Sequence, residues 1–251
     1  MHLLERKTDG QLVLREFLGE NVPAYAILSH TWGDEEVSFR DVEADAGKNM
    51  AGWKKIDFCA KQAGADGLRY IWVDTCCIDK SSSAELQEAI CSMFRWYQKA
   101  ARCYVFLSDV LVGDKGEHEQ SYLVWEAAFR KSRWFRRGWT LQELLAPSHV
   151  EFFSVEGILL GDKSSLKSQI HEITRIPIDA LQGRSPLEYS IVERFKWAEH
   201  RRTKREEDKA YALLGLFDVS MPLLYGEGFS KAFHRLCLEV NRLSDHPYNG
   251  E

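Results

Sequence analysis

Trp139 and Glu143 lie four residues apart in a stretch rich in cations, with Arg130, Lys131, Arg133, Arg136 and Arg137 just ahead of them. Gly138 is placed to start a helix and Pro147 to limit its far end, so this spacing puts the indole and the carboxylate on one helical face. Leu141, Leu144 and Leu145 fall on the other side, as an anchor into a core. An aromatic plate beside a carboxylate, surrounded by cations, suits a ligand built from a flat ring, a sugar and phosphates. Spacing alone favours a plainer alternative, a surface helix with a half-buried tryptophan and a salt-bridged glutamate.

Other chemistry-bearing patterns are weaker. Cys76-Cys77 follows an apolar run, where α/β proteins place ligand sites, but only Lys80 is near enough in sequence to activate a thiol. Packing is the better reading of the pair. No GxxxxGK[ST] loop, HExxH or GxSxG occurs, which removes P-loop, zincin and serine-hydrolase chemistry. Gly226-Glu227-Gly228 reads as a turn before a helix, because no strand precedes it. The run Arg201, Arg202, Lys204, Arg205 with Glu206, Glu207 and Asp208 reads as a solvated loop and cap, with no ligand assigned.

The elements that must carry these residues follow from periodicity. Residues 25–29 (YAILS), 70–74 (YIWVD), 103–107 (CYVFL) and 150–153 (VEFF) are short apolar runs of the kind found in strands covered on both faces. Between them, Trp53, Ile56, Cys59, Ala60 and Ala63 share a helical face, and Ser82 or Ser83 is placed to cap a helix carrying Leu86, Ala89, Ile90, Met93, Phe94 and Tyr97. Strands alternating with helices predict a parallel α/β sheet with helices on both faces. From Ser164 onward the pattern is mostly helical, ending in an amphipathic face from Phe229 to Val240.

The 251 residues are 45% hydrophobic and 28% charged, a globular composition. A net charge of −5 argues against a general nucleic-acid binder. Glu5, Arg6 and Lys7 stand where a signal peptide would be apolar, and no run approaches the length of a membrane span. The six cysteines are irregularly spaced with no CxxC pair, as in reduced cytosolic proteins without a zinc site. The expectation is a soluble cytoplasmic chain with no metal.

Five blocks resemble the signatures of the fungal heterokaryon-incompatibility (HET) domain: residues 23–33 (PAYAILSHTWG), 70–80 (YIWVDTCCIDK), 132–147 (SRWFRRGWTLQELLAP), 207–217 (EDKAYALLGLF) and 221–228 (MPLLYGEG). They run in order over nearly the whole chain, which is most similar to the HET modules at the front of fungal NOD-like receptors. The resemblance implies a single HET domain over residues 1–243 with a tail at 244–251. It also implies a role as a cell-death effector in self/non-self recognition, with further receptor domains in a larger host protein.

A more distant likeness is to TIR domains. It is carried by Leu28-Ser29 with Gly33-Asp34-Glu35, Asp74 to Asp79, residues 86–90, residues 105–108 and residues 139–144. It implies a flavodoxin-like α/β part over about residues 22–155, followed by a helical part over about 156–243. Enzymatic TIR domains cleave NAD with a glutamate four residues after a tryptophan, and Glu143 is the match. The loop from Thr75 to Ser83 corresponds to one that governs assembly and site access. Ala26 replaces the aspartate of the first TIR strand, and His30-Thr31-Trp32 stands where a basic residue is usual.

One carboxylate suffices for this chemistry. Nicotinamide is already a cationic pyridinium in NAD and leaves neutral, so the site has only to stabilise an oxocarbenium-like ribose. The resemblance therefore implies NAD as substrate and no prosthetic group, with Glu143 as the catalytic residue. Trp139 or Trp32 would stack on a ring, Ser29 and His30 would position ribose or phosphate, and Arg133 would meet the pyrophosphate. Asp74 and Asp79 are further polar candidates, with loop architecture as their alternative. Activation by homotypic assembly is expected. The alternative is a non-enzymatic signalling and self-assembly module of the same fold.

Overall fold

The computed structural model describes residues 1–19, 21–113 and 120–245. Seven strands form one mixed sheet: β1 (His2–Arg6), β2 (Leu12–Glu16), β3 (Tyr25–His30), β4 (Tyr70–Trp72), β5 (Arg102–Phe106), β6 (Val150–Phe153) and β7 (Leu159–Asp162), in the order β2-β1-β4-β3-β5-β6-β7. The four runs expected to be strands are β3, β4, β5 and β6, and they pair in parallel. The expectation of a purely parallel sheet is corrected at both edges, where β1 runs antiparallel to β4 and β7 antiparallel to β6.

The sheet therefore reaches beyond both bounds expected for the α/β part, residues 22 and 155. At its start, β1 and β2 form a hairpin that brings Leu3, Leu4 and Leu12 into the core. The turn between them ends at Gly10, whose φ of +85° is available to glycine at little cost. An Asp-Gly pair between two apolar runs is a hairpin signal; the charges of Glu5, Arg6 and Lys7 masked it. Glu5 is nearly buried and holds its charge through ion pairs with Lys7, Arg15 and Arg69.

Eleven α-helices lie among the described residues: α1 (Phe39–Glu43), α2 (Trp53–Ala65), α3 (Ser83–Lys99), α4 (Gln120–Lys131), α5 (Thr140–Leu145), α6 (Lys167–Thr174), α7 (Ile178–Leu181), α8 (Ile191–Ala198), α9 (Asp208–Tyr211), α10 (Leu214–Phe217) and α11 (Phe229–Asp245). Ser244 and Asp245 end α11, and the rest of the expected tail, 246–251, lies outside the described residues. The last six helices, α6 to α11, bear out a mostly helical C-terminal part.

Helices cover both faces of the parallel strands, which is why β3 is buried at all six positions. On one face Phe58 of α2 meets Phe106 and Phe153 with ring centroids 5.1 and 4.9 Å apart. On the other, Trp72 packs on Trp96 and Tyr97 of α3, while Trp134 and Phe129 pack on Phe152. Ser82 caps α3 by accepting from the Glu85 amide.

α5 is wedged on this second face and buried along its length. Its start is fixed by Gly138, where a Cβ would lie 2.5 Å from Thr203 and whose amide donates to the Arg202 carbonyl at 2.9 Å. Its last carbonyls are met by the buried Lys163 ammonium, 3.2 Å from Leu144 O and 2.6 Å from Pro147 O. α10 packs against α3 through Gly215, where a Cβ would fall 2.1 Å from Phe94 Cβ. Gly215→Ala is therefore expected to lower unfolding free energy by about 1–3 kcal/mol, measured from denaturant midpoints. An unchanged midpoint would mean that the two helices do not touch as described.

Candidate functional site

β3 ends in Ser29 and His30, and because successive strand residues point to opposite faces, the two side chains diverge there. Ser29 turns toward α5, where its hydroxyl accepts from the Trp134 indole at 2.8 Å and donates to Glu143 Oε2. His30 turns toward the loop after β4, where its Nε2 meets Asp74 Oδ1 at 3.0 Å. The Trp32 indole donates to the other Asp74 oxygen at 2.8 Å. Although partial burial works against its charge, the His30 bond, the Lys80 charge and the Trp32 bond hold the Asp74 carboxyl down at about 2.

Glu143 is the opposite case. Its side chain is 6% exposed. Burial, reinforced by the nearby Asp74 charge, pushes its carboxyl up to about 8 against the pull of the Ser29 hydroxyl. Two carboxyl groups in one site are thus driven apart, one ionised and one largely protonated at neutral pH. Such a split marks acid–base or electrostatic assignments in enzymes. It also arises in purely structural networks.

Both carboxyl groups line a cavity of about 260 Å³ beyond the carboxyl ends of β3 and β4. β3 is the strand at which the order of the parallel strands reverses, with β4 on one side and β5 on the other, the place where open α/β sheets bind ligands. Ile78, Leu86, Ile90 and Met93 supply apolar walls, and Trp32, Trp139 and Tyr225 supply aromatic ones. Lys80 Nζ sits 4.0 Å from the Trp32 ring centroid. A larger and more open groove, about 490 Å³ and lined by Val192, Phe195, Phe229 and Phe233 among others, includes none of the strand-end residues. The smaller cavity, where the polar groups converge, is therefore the candidate site.

The expected site residues divide cleanly. His30, Trp32, Asp74, Trp139 and Glu143 all line the cavity, and Ser29 stands directly behind Glu143. Asp79 does not reach it. Its carboxylate accepts from the Ser81 amide and hydroxyl at 2.9 and 2.6 Å, while its own amide donates to Glu85, so it shapes the loop ahead of α3. Arg133 also lies elsewhere, donating to Thr31 Oγ1 at 3.1 Å and Ser108 Oγ at 2.9 Å. Of the cations ahead of Trp139, only Arg137 lines the cavity, and Arg130 is paired with Glu126 and Glu172.

Sequence reasoning missed Lys80, Thr140 and the contribution of the C-terminal part: Lys204, Arg205, Asp208 and Tyr225 also line the cavity. Residues 201–208 read as a solvated loop because the charges alternate in sign over a few positions, and nothing local shows that Arg202 pairs with Arg136 and Gly138 through the backbone. Glu207 stands at the start of α9 without a side-chain cap bond to it and makes an inter-helix contact instead, accepting from the Gly226 and Gly228 amides at 2.8 and 3.1 Å. Asp208 accepts from Tyr225 at 3.0 Å.

Cys76 and Cys77 are buried and outside the cavity. The neighbouring Cys77 thiol and burial together hold the Cys76 thiol well above its ordinary range, which removes the nucleophilic reading.

Residues 25–122 match the family model described as heterokaryon incompatibility protein (HET). The chain is also 52% identical, over 245 residues and 96% of its length, to vegetative incompatibility protein HET-E-1 of Podospora anserina. It carries a HET domain. The chain spans 18% of the length of that relative. The family match takes in Ser29, His30, Trp32, Asp74 and Asp79 and stops short of Arg133, Trp139 and Glu143. No solved structure matches the chain. Among the described residues of the HET domain, no helix is long and apolar enough to cross a membrane.

Two expected outcomes test this geometry. Between its ordinary value of 4.5 and about 8, native Glu143 holds a proton that the unfolded chain has released, so its contribution to stability falls as pH rises through that window. Glu143→Gln does not titrate, so its melting temperature relative to the parent protein should rise by at least about 4 °C between pH 5 and pH 9. A gap that does not change with pH would place Glu143 in water. Thiol labelling of the folded protein should reach the half-buried Cys91 and Cys237 well before the four buried cysteines; early labelling of Cys76 or Cys77 would contradict their burial.

Proposed function

We propose that this HET domain cleaves NAD at the nicotinamide–ribose bond, with Glu143 as the catalytic residue, and that cleavage is its output as a cell-death effector in fungal incompatibility. The observation that carries the reading is a buried carboxyl group on the wall of a strand-end cavity, at the position that the TIR resemblance singles out. The order of the four parallel strands supports the likeness, since counting them along the chain gives 2-1-3-4, as in flavodoxin-like sheets.

The raised pKa of Glu143 fits the charge changes of the reaction. Arrival of the pyridinium cation favours the carboxylate, and the bound form of Glu143 loses its proton. As the bond to ribose breaks, the electron pair leaves with neutral nicotinamide and positive charge passes to the ribose carbon, beside that carboxylate. Water then adds to the carbon, and its proton goes to a group whose affinity for protons has returned. The balance is NAD and water giving ADP-ribose, nicotinamide and a proton. In this reading His30 would hold a ribose hydroxyl and Trp139 would face the ring.

The incompatibility role is supported by the name and 52% identity of the Podospora relative, and the length of that protein supports a host with further domains. Homotypic assembly within a cytoplasmic receptor is proposed as the trigger. One observation favours the non-enzymatic alternative: at about 260 Å³ the cavity is smaller than the roughly 300–1,000 Å³ of ordinary small-molecule sites. It suits a nicotinamide and a ribose, with the rest of the dinucleotide outside.

The deciding experiment incubates the purified protein, free and clustered on a scaffold, with NAD and follows nicotinamide by chromatography. Glu143→Ala and Glu143→Gln are expected to lose release by at least about 100-fold while keeping native circular dichroism. The apparent kcat/KM should rise with pH to an inflection near 8, and kcat should show its inflection at lower pH because bound pyridinium favours the carboxylate. No release at any density, with Glu143→Ala still able to kill cells, would leave the assembly module as the function.

A further inference from the structure

We infer that the loop 201–208 of the C-terminal part builds a phosphate subsite at the cavity, so that the domain takes a nicotinamide nucleotide, phosphorylated on its ribose, in preference to the bare riboside. The inference rests on the NAD reading for the identity of the ring and names the part of the substrate that this reading leaves open.

Four cationic side chains line the cavity: Lys80, Arg137, Lys204 and Arg205. Among the described residues, none of them forms an ion pair with a carboxylate. Two are instead held over aromatic faces, Lys80 over Trp32 and Arg205 over Tyr225 at 4.1 Å from the ring centroid. An aromatic face steadies a cation and leaves its N–H groups free for an anion. The three carboxyl groups in the lining cancel only part of this charge: Glu143 is largely protonated, while Asp74 acts on Lys80 and Asp208 on Arg205, which leaves the four cations in excess.

A second observation points the same way. Nδ1 of His30, on a cavity-lining residue, is buried without a hydrogen-bond partner in the protein. With Nε2 donating to ionised Asp74, this nitrogen is an acceptor in the neutral ring, which suits a ribose hydroxyl. A sugar hydroxyl at His30 and a phosphate at the cations are the two features that follow a nicotinamide ring in a nucleotide.

The loop is also rigidly joined to the helix that carries Glu143. Arg202 N donates to Arg136 O, Gly138 N to Arg202 O, and the buried Arg201 guanidinium to Arg137 O at 2.9 Å and Thr140 Oγ1 at 2.8 Å. Phosphate contacts at Lys204 and Arg205 are thereby fixed relative to α5, which is what positioning of the scissile bond requires.

The test measures binding by titration calorimetry to Glu143→Gln protein, which the NAD reading makes unable to turn over. The ligands are NAD, nicotinamide mononucleotide and nicotinamide riboside, with inorganic pyrophosphate as competitor. Adding Lys204→Gln and Arg205→Gln, both exposed and so not needed for folding, should weaken both nucleotides at least tenfold more than the riboside. It should also abolish competition by pyrophosphate. Equal weakening of all three ligands, unchanged nucleotide affinity, or no binding of either nucleotide to the parent would overturn the subsite. Should the nucleotides bind with this selectivity while wild-type protein cleaves none of them, the cleavage reading fails and the phosphate subsite stands. Pyrophosphate binding that survives the substitutions would also overturn it.

Discussion

Glu143 sits on a six-residue helix that is buried throughout, and a carboxyl group kept there loses the hydration that normally holds it ionised. The surroundings answer that loss with a directed chain, Trp134 donating to Ser29 and Ser29 to Glu143, and with the Tyr97 hydroxyl beside it; among the described residues no cation forms an ion pair with it. The result is a carboxyl group held largely in its neutral form at neutral pH. Much of the architecture around it serves to keep α5 in place. Its start is pinned by the backbone at Gly138, and its last carbonyls meet the Lys163 ammonium. A helix this short has little stability of its own.

The C-terminal helices are part of the same arrangement. Buried Arg201 reaches the Arg137 carbonyl and the Thr140 hydroxyl, and Glu207 ties the start of α9 to the turn at Gly226 and Gly228. These contacts bring Lys204, Arg205, Asp208 and Tyr225 to a cavity whose floor belongs to the sheet. The sheet and the C-terminal helices thus meet at the site itself. Displacing residues 201–208 would open the cavity and loosen α5 together.

The size of the cavity bears on how a nucleotide would bind. On the proposed reading, a pocket of this size holds the nicotinamide and ribose and leaves the remaining nucleotide at its mouth, among four cations of which Asp74 and Asp208 offset only part. Binding then depends on electrostatic attraction outside and desolvation inside, two terms that respond differently to salt and to movement of the wall.

Much of the fold was legible in the residues. The four apolar runs that became β3 to β6 had no other stable place than a sheet covered on both faces, and the Ser82 cap and the apolar spacing of α3 defined that helix. The edges were not legible, because β1 carries charges that only Lys7, Arg15 and Arg69 make tolerable, and β7 is short and largely exposed. For the site, the pairing of Trp139 with Glu143 and the strand-end triplet Ser29-His30-Trp32 could be singled out from residue type and spacing. Asp79 and Arg133 could not be separated from them, since a loop-capping carboxylate and a surface arginine have the same local signature as ligand-binding ones. The sequence by itself determined the parallel core, the helix and the carboxylate, because these follow from local periodicity and from the chemistry of single side chains. Only the tertiary structure decided that Glu143 is desolvated and that residues 201–208 close the cavity over it. Burial and charge at a point in space depend on segments some 60 positions apart in the chain, and no local pattern encodes their meeting.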